Sequence, residues 1–252
     1  MSSTDLGDPE AWLADGLVAV DFDGTLSPIV DDPDTAAPAD GAVEALVHLA
    51  ERLPEVAVIS GRPLSYLERY LRPPVTLVGL YGLETVRHGV REDHPSAGVW
   101  RETMADVASG AEHHGPSGMR VELKGMSITL HYREHPELAA EVEAWARAAA
   151  EPAGIRVRSA RMSVELHPPI DEDKGTALRR LAAGRRGPVL FMGDDVGDLA
   201  AFDLLDELQA EGRAVRRVAV DSAEMPPELR TRADEVVDGP PGAVRLLNSL
   251  LG

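Results

Sequence analysis

The sequence is poor in several residue types, and each shortage excludes a kind of structure or chemistry. It contains no cysteine, so disulfide bonds, thiolate nucleophiles and cysteine-ligated zinc sites are excluded. Aromatic residues make up only 4% of the chain, so the core must be built mainly from alanine, valine and leucine. No apolar run approaches the length of a membrane-spanning helix. With 252 residues and 44% hydrophobic content, the chain is still long enough for one large domain, or for a domain with an insert.

Positive charge is also scarce. The chain has 25 basic and 43 acidic residues, which gives a formal net charge of −18. A field of this sign repels nucleic acid and anionic membrane surfaces, so we expect neither as a partner. It also repels a phosphate ester, so an anionic substrate would need a metal ion and local cations. The segment from Met1 to Glu10 lacks the basic start and apolar stretch of a signal peptide. We therefore expect a cytoplasmic protein, and we expect it to be a monomer.

Short apolar runs alternate with helical patterns in the first and last parts of the chain. Leu17 to Asp23 and Val56 to Ser60 predict buried strands, and the apolar positions from Asp40 to Leu53 recur at helical spacing. The alternation returns after Asp173, where a short helical pattern precedes the apolar run Val189 to Met192. This pattern predicts an α/β fold with a doubly wound parallel-sheet (Rossmann-like) core.

The middle of the chain follows a different pattern. From Met119 to Arg133, and again from Ile155 to His167, apolar and polar residues alternate, which is typical of strands with one solvated face. An alanine-rich helical stretch lies between these two segments. We therefore predict a catalytic core made of residues 1–99 and 170–252, split by an inserted α+β cap domain of residues 100–169.

The most informative segment, Asp21-Phe22-Asp23-Gly24-Thr25, follows the first apolar run. Two carboxylates stand where a buried strand ends, and the carboxyl ends of parallel strands are where such folds place their chemistry. An aspartate at this position can attack phosphorus and form an aspartyl-phosphate, while the second aspartate protonates the leaving oxygen. The alternative is an acidic loop that caps the next helix.

Other polar side chains follow predicted strands or open predicted helices. Ser60 ends the second strand, Lys174 opens the helix after the insert, and Asp194 follows the fourth predicted strand. At a shared sheet edge, Asp21 and Asp194 would hold Mg²⁺ through carboxylate oxygens. Ser60 would bind a phosphate oxygen, and Lys174 would neutralise phosphate charge and restrain the nucleophile. Taken one at a time, these residues also fit a turn serine, an exposed lysine and a solvated acidic turn.

These segments resemble the four motifs of the haloacid dehalogenase superfamily of phosphatases. Asp21 to Thr25 resembles the first motif, Ser60 the second and Lys174 the third, while Gly193-Asp194-Asp195 with Asp198 resembles the fourth. An insert between the second and third motifs is where this superfamily carries its sheet-bearing cap. Within it, the sequence is most similar to the trehalose-6-phosphate phosphatases, from about Leu17 to Phe202. The segments that carry this similarity are Ser60-Gly61-Arg62, Gly79-Leu80-Tyr81-Gly82-Leu83-Glu84, Val121-Glu122-Leu123-Lys124, His131-Tyr132-Arg133, Glu165-Leu166-His167-Pro168-Pro169 and Asp173-Lys174-Gly175.

The resemblance implies a role for each aspartate. Asp21 would be the nucleophile and a metal ligand. Asp23 would act first as general acid and then as general base, with its backbone carbonyl on the metal. Asp194 would complete the Mg²⁺ site, with support from Asp195 and Asp198. The fourth motif departs from the family pattern, because Gly and Leu stand in place of a hydroxyl and a carboxylate that many members carry, which could loosen the surroundings of the metal.

The resemblance also implies a sugar site on the cap, which would close over the substrate. Glu122 and Lys124 are two residues apart on one strand and share a face, and Glu165 points away from the apolar face of its own strand. The alternative for these three residues is a solvated sheet surface with ordinary ion pairs. The substrate-binding residues that we predict are Gly24, Thr25, Gly61, Arg62, Gly82, Glu122, Lys124, His131, Arg133 and Glu165.

The function expected from this resemblance is Mg²⁺-dependent hydrolysis of trehalose 6-phosphate to trehalose and phosphate. One alternative is another capped sugar phosphatase, or a phosphosugar mutase that uses the same two aspartates. A second alternative, from a different class, is a catalytically silent sensor of a sugar phosphate.

Overall fold

The computed structural model of the chain describes residues 9–30, 32–160 and 162–250. The expectation of a cytoplasmic protein was drawn from the segment Met1 to Glu10. Most of this segment, residues 1–8, lies outside the described residues. The strands are β1 (Leu17–Val20), β2 (Glu55–Ile59), β3 (Thr76–Gly79), β4 (Glu84–Arg87), β5 (Val90–Asp93), β6 (Arg120–Leu123), β7 (Ile128–His131), β8 (Arg156–Ala160), β9 (Ser163–His167), β10 (Val189–Gly193), β11 (Val215–Val220) and β12 (Glu235–Val237). The α-helices are α1 (Pro9–Asp15), α2 (Ala42–Ala50), α3 (Leu64–Leu67), α4 (Ala97–His114), α5 (Ala139–Ala153), α6 (Lys174–Ala182), α7 (Leu199–Ala210), α8 (Pro227–Arg232) and α9 (Gly239–Ser249).

These elements form two compact units. The first comprises Met1–Glu92 and Glu172–Gly252, and the second comprises Asp93–Asp171. The insert predicted at residues 100–169 lies inside the second unit, which also includes flanking residues on both sides. That the second unit acts as a cap stays a prediction.

An eight-stranded sheet forms the centre of the first unit, in the order β12-β11-β10-β1-β2-β3-β4-β5. The six strands from β12 to β3 are parallel to their neighbours, and β4 pairs with β3 in the antiparallel direction. The predicted α/β fold is thus confirmed. The sequence pattern did not predict β4 and β5, because β5 is polar and largely exposed and has no apolar face to mark it.

Helices cover both faces of this sheet, which explains why its central strands are apolar throughout. In β1, Val18 and Val20 pack in the core layer that contains α2, α3 and α9. Leu17 and Ala19 point the other way, into the layer that contains α6 and α7. The two helices of this second layer approach closely at Gly175, where a Cβ would lie 2.3 Å from the carbonyl oxygen of Ala200.

The strand order reverses between β1 and β10, which lie side by side at the middle of the sheet. From β1 the chain winds outward through β2 and β3, and from β10 it winds the opposite way through β11 and β12. Open α/β sheets bind ligands at the carboxyl ends of the strands beside such a switch point. The residues that follow β1 and β10 are therefore the first place to look for chemistry.

The second unit has a four-stranded antiparallel sheet in the order β6-β7-β9-β8. Side chains such as Leu130 and Val164 form its apolar face, which packs against α4 and α5 through Met104, Val142 and Ala146. Polar residues alternate with these along the strands and form the opposite face. Across both units, none of the described helices is both long enough and apolar enough to cross a membrane.

Candidate active site

Two predicted aspartates lie next to each other at the switch point. Asp21 follows β1 and Asp194 follows β10, and the backbone N–H of Asp21 donates to the carbonyl of Met192 at 2.9 Å. Both aspartate side chains are buried. Asp21 continues the alternation of Leu17 and Ala19, so its side chain points toward the layer that contains α6.

Lys174 enters the site from the first turn of α6. A capping box begins this helix, because Asp173 accepts from the backbone N–H of Thr176, whose hydroxyl accepts from the backbone N–H of Asp173. The Nζ atom of Lys174 lies 2.9 Å from Oδ1 of Asp21 and 2.6 Å from Oδ1 of Asp198. Burial by itself lowers the pKa of Lys174, but the charges of Asp198 and Asp21 outweigh it and raise the pKa well above its usual value. This lysine is therefore a permanent buried cation.

Three carboxylates converge beside Lys174. Ligand oxygens of Asp21, Asp194 and Asp198 all lie within 4.8 Å of one another. Burial raises the pKa of Asp21 well above its usual range, against the opposing charge of Lys174. Burial also raises the pKa of Asp194 to about 7, and neighbouring carboxylates add to the shift. The raised pKa values show that Lys174 alone does not stabilise three ionised carboxylates here, so a further cation would favour their charged form, and their oxygen atoms are the ligands that Mg²⁺ prefers.

Not every carboxylate of the fourth motif is equally suited to bind a metal. Oδ1 of Asp198 accepts from Lys174, and its Oδ2 accepts from the backbone N–H groups of Asp194 and Asp195 at 2.8 and 2.9 Å. Asp198 is therefore already committed to holding the lysine and the loop. Among the described residues, Oδ1 of Asp195 is buried without a hydrogen-bond partner, and it lies 3.7 Å from Nζ of Lys174. Asp21 and Asp194, with this oxygen of Asp195 nearby, fit a divalent cation best.

The carboxylate of Asp194 is held from three sides. Thr25 donates its hydroxyl to Oδ1 at 3.2 Å, and Ser222 donates its hydroxyl to Oδ2 at 2.8 Å. Gly24 lies against the same group, since a Cβ at this position would be 2.0 Å from Oδ2 of Asp194. Gly24 also has a φ of +77°, in the left-handed region that favours glycine. The first and fourth motifs therefore meet directly, and the Thr25 hydroxyl, predicted to bind substrate, is engaged by Asp194.

Ser222 was not among the predicted site residues. It follows β11, the strand next to β10, at the same sheet edge as Asp194. The rule that selected Asp21, a polar residue just after a buried strand of a parallel sheet, also applies to Ser222. The signal was present in the sequence, but the polar run after β11 resembles an ordinary loop.

Asp23 and Arg62 form a two-pronged ion pair in the first unit. The guanidinium Nε and Nη2 donate to Oδ2 and Oδ1 of Asp23, both at 2.7 Å. The guanidinium also stacks on the ring of Tyr66, 4.3 Å from its centroid. Arg62, predicted as a substrate contact, is thus held on Asp23 and Tyr66. Ser60 is buried at the end of β2, and its Oγ accepts from the backbone N–H of Arg62 at 3.1 Å.

The segment after β3 is bonded to the loop that contains Ser60. The backbone N–H of Tyr81 donates to the carbonyl of Ser60 at 3.0 Å, and Tyr81 has a left-handed φ of 58°. Its phenol lies over Gly61, where a Cβ would be 2.6 Å from the hydroxyl oxygen. Gly82, another predicted substrate residue, has a φ of +114°, and its carbonyl accepts from Arg180 at 2.8 Å. Both predicted glycines therefore lie where a side chain would collide with a neighbour.

Several predicted sugar-binding residues lie on the polar face of the sheet in the second unit. Oε2 of Glu122 lies 2.7 Å from Nε2 of His131 and 3.5 Å from Nζ of Lys124. Burial alone raises the pKa of Glu122, but the hydrogen bond with His131 and the charge of Lys124 lower it overall. Glu165 lies in the same cross-strand row as Glu122, two strands away. Arg133 is exposed in the turn after β7, outside this group.

The fold of the first unit, with its inserted second unit, matches a known class of enzymes. A haloacid dehalogenase-like hydrolase from Bacteroides thetaiotaomicron superimposes with a TM-score of 0.62 at 14% identity, over 92% of this chain and 98% of that chain. A likeness at this identity shows the fold alone. The chain therefore has the fold of a haloacid dehalogenase-like hydrolase, with acidic residues at its switch point.

Sequence and structure comparisons narrow this class to a family. A family model described as trehalose-phosphatase matches residues 19–236. The C-terminal domain of the Candida albicans trehalose-6-phosphate phosphatase superimposes with a TM-score of 0.71 at 25% identity, over 97% of this chain and 95% of that chain. The chain belongs to the trehalose-phosphatase family.

A trehalose-phosphate phosphatase of Mycobacterium ulcerans is 39% identical over 197 residues, which cover 74% of this chain and 50% of that protein. The chain thus spans about half the length of the curated relatives it matches.

Proposed function

We propose that this chain is a Mg²⁺-dependent phosphatase that hydrolyses trehalose 6-phosphate to trehalose and inorganic phosphate. The observation that carries the proposal is the buried group in which Lys174 contacts both Asp21 and Asp198, with Asp194 beside them. Phosphoryl transfer needs a positioned nucleophile and positive charge around the phosphate. In this group Asp21 is the candidate nucleophile and Lys174 supplies the positive charge. The names of the family and of its relatives support trehalose 6-phosphate as the substrate.

The reaction has two steps, both centred on Asp21. In the first, a carboxylate oxygen of Asp21 attacks phosphorus, the bond from phosphorus to the sugar oxygen breaks, and Asp23 gives a proton to that oxygen. In the second, Asp23 takes a proton from water, the water oxygen attacks phosphorus, and the aspartyl-phosphate bond breaks to release phosphate and restore Asp21. Lys174 holds Oδ1 of Asp21, which fixes the direction of its other oxygen.

The pairing of Asp23 with Arg62 sets a requirement on the first step. Both oxygens of Asp23 accept from the guanidinium, which is the arrangement of an ionised carboxylate. This form suits the second step, where Asp23 acts as a base. To donate a proton in the first step, Asp23 must be protonated, so the pair with Arg62 must open when substrate binds.

We assign the Mg²⁺ site to Asp21 and Asp194, with Asp195 close by, and to the backbone carbonyl of Asp23 that the family resemblance implies. When bound, the ion supplies charge that stabilises the phosphoryl oxygens. Asp198 positions Lys174 and the loop of the fourth motif. Ser60 contributes a phosphate contact.

For the sugar, we propose that Glu122, Lys124 and Glu165 of the second unit contact hydroxyl groups. Their position on one polar sheet face supports this role, since carboxylates and an ammonium together match the donors and acceptors of a disaccharide. The substrate-binding assignments of Gly24, Thr25, Gly61, Arg62, Gly82, His131 and Arg133 stay predictions, as do the cytoplasmic location, the monomeric state and the absence of nucleic-acid partners.

The proposal is tested by phosphate release from a panel of sugar phosphates, with Mg²⁺ and with a chelator. We expect release from trehalose 6-phosphate to exceed that from glucose 6-phosphate and sucrose 6-phosphate at least a hundredfold, and to stop in chelator. The Asp21→Asn variant should keep its fold and release no phosphate. The matched control is Asp203→Asn, an exposed carboxylate on α7, which should behave as the unmodified chain does.

Other outcomes support the alternatives. Broad and weak release from monosaccharide phosphates indicates a different sugar phosphatase, and an isomerised sugar phosphate in place of free phosphate indicates a mutase. Tight binding of trehalose 6-phosphate without turnover indicates a sensor. Activity that persists in Asp21→Asn contradicts the covalent mechanism.

A further inference from the structure

A cleft of about 600 Å³ lies in the first unit, away from the carboxylate cluster. It is formed around the C-terminal ends of α6 and α7 and the loops that follow them. Gly187 in one of these loops precedes β10, whereas Asp194 follows β10, so the cleft and the carboxylate cluster lie toward opposite ends of that strand. Four arginines and one glutamate line the cleft: Arg179, Arg185, Arg186, Arg213 and Glu211.

Two of the four arginines have carboxylate partners. Arg179 pairs with Glu207 at 2.5 Å, and Arg185 pairs with Asp15 at 3.2 Å and with Glu55 at 3.0 Å. These two guanidinium groups are already neutralised, and the pairs tie the loop to α1 and β2.

The other two arginines, Arg186 and Arg213, form no such ion pair within the part of the chain that the structure describes. Within residues 9–30, 32–160 and 162–250, no carboxylate lies at ion-pair distance from the guanidinium of Arg186 or of Arg213, although Asp15 accepts from the backbone N–H of Arg186 at 2.6 Å. Arg186 is exposed, and Arg213 donates to the carbonyl of Gly187 at 2.8 Å. In a chain with a net charge of −18, two guanidinium groups at one cleft without a carboxylate at ion-pair distance are unexpected.

Two further observations concern the guanidinium groups of Arg213 and Arg185. Burial lowers the pKa of Arg213, although the charges of Asp15 and Glu211 oppose this effect. The Nε–H of Arg185 is buried and has no acceptor among the described residues. A buried donor without an acceptor is costly, and a bound anion would supply an acceptor.

We propose that this cleft binds a small phosphate-bearing anion at a site separate from the catalytic carboxylates. A guanidinium group can donate two parallel hydrogen bonds to phosphate oxygens, and two guanidinium groups without an ion-pair partner suit a phosphate dianion. The volume lies in the range of small-molecule sites. Glu211 on the wall disfavours more highly charged ligands. This site does not depend on the catalytic function proposed above.

Calorimetric titration with inorganic phosphate, in Asp21→Asn protein so that no ester is consumed, tests the proposal. The Arg186→Ser, Arg213→Ser double variant should lose at least tenfold in affinity for one phosphate per chain. The control variant carries Arg72→Ser and Arg147→Ser, two exposed arginines elsewhere, and removes the same charge. It should change affinity less than twofold.

The single variant Arg186→Ser is measured as well, because Arg213 also holds the Gly187 carbonyl and its loss could unfold the loop. We expect at least a threefold loss in phosphate affinity from this exposed residue alone.

Parallel titrations with glycerol 1-phosphate separate the two sources of the anion. Binding of the ester with the same arginine dependence indicates a phosphate monoester site, and binding of phosphate alone indicates a site for the free anion. Equal affinities in the test and control variants would overturn the proposal, and so would phosphate binding that acetate at equal ionic strength abolishes.

Discussion

Lys174 forms a salt bridge with Asp21 at the switch point of the sheet, with 2.9 Å between Nζ and Oδ1. One residue follows the first strand and the other opens the helix that resumes the core after the second unit. This contact joins the two sequence segments of the first unit at a buried point. Its charges are mutually dependent, because each would be costly to bury without the other.

Replacing Lys174 with methionine leaves Asp21 and Asp198 buried without their shared cation. We expect the free energy of unfolding to fall by about 3–5 kcal/mol, as is typical when one member of a buried ion pair is removed. The measurement is urea unfolding. The control is Lys124→Met, which removes the chain's only other lysine from a partly exposed pair on the second unit and should cost less than about 1 kcal/mol. Similar losses in both variants would contradict the importance of the buried contact.

Gly24→Ala should be more damaging than its backbone conformation alone explains. A left-handed φ costs a non-glycine residue about 1 kcal/mol, and a Cβ here would also overlap the Asp194 carboxylate. Gly89→Ala is the matched control, because Gly89 has the same φ of +77° and nothing within 4 Å of its added Cβ. We expect Gly89→Ala to lose about 1 kcal/mol and Gly24→Ala to lose about 1–3 kcal/mol more. Equal losses in thermal unfolding would show that the collision is relieved at no cost.

Much of the fold could be predicted from the sequence because the central strands are apolar on both faces. A short apolar run such as Leu17 to Val20, bounded by polar residues, is typical of a strand buried in a parallel sheet. The polar residues that follow such strands then lie at one edge of the sheet. The edge strand β5 was not predictable in this way, since it is exposed and polar.

The site was less predictable than the fold, because its contacts depend on side-chain direction. The sequence predicts that Arg62 and Asp23 lie at the ends of neighbouring strands. It does not indicate that the Arg62 guanidinium binds the Asp23 carboxylate instead of a substrate. In the same way, the Thr25 hydroxyl is engaged by Asp194, and Ser222 adds a contact that no motif marks.

Ser222→Ala should weaken metal binding without removing a ligand. The Ser222 hydroxyl fixes Oδ2 of Asp194, and groups that orient metal ligands typically contribute ten- to hundredfold in affinity. We expect the Mg²⁺ concentration for half-maximal phosphate release to rise by about tenfold, and Mg²⁺ to raise the melting temperature less than in the unmodified chain. Ser249→Ala, whose hydroxyl bonds only a helix carbonyl, is the control. An unchanged Mg²⁺ dependence would indicate that Thr25 alone holds Asp194.

The lowered pKa of Glu122 predicts a pH dependence of stability. A carboxyl with a lowered folded-state pKa stabilises the fold above its unfolded pKa of about 4.5, and this contribution is lost as the pH falls through the folded value. The difference in unfolding free energy between the unmodified chain and Glu122→Gln should therefore be present above about pH 4.5 and shrink as the pH falls below it. Because Glu122 is partly exposed, we expect about 1 kcal/mol at pH 7. A difference that grows toward low pH would contradict the contribution of the His131 and Lys124 contacts.

Arg62→Lys distinguishes two roles for this residue. Lysine keeps the charge but cannot make the two-pronged contact with Asp23 or stack on Tyr66 as a plane. If Arg62 acts by positioning the ionised Asp23 for the second step, kcat should fall about ten- to a hundredfold while KM for trehalose 6-phosphate stays within twofold, because general base catalysis depends on the direction of the proton acceptor. If Arg62 contacts the phosphate, KM should rise instead. Arg69→Lys is the control, since Arg69 stacks on the same ring at 4.7 Å and makes no described contact with Asp23. A large effect of Arg69→Lys on kcat would show that the stack on Tyr66, and not the Asp23 pair, is what the reaction needs.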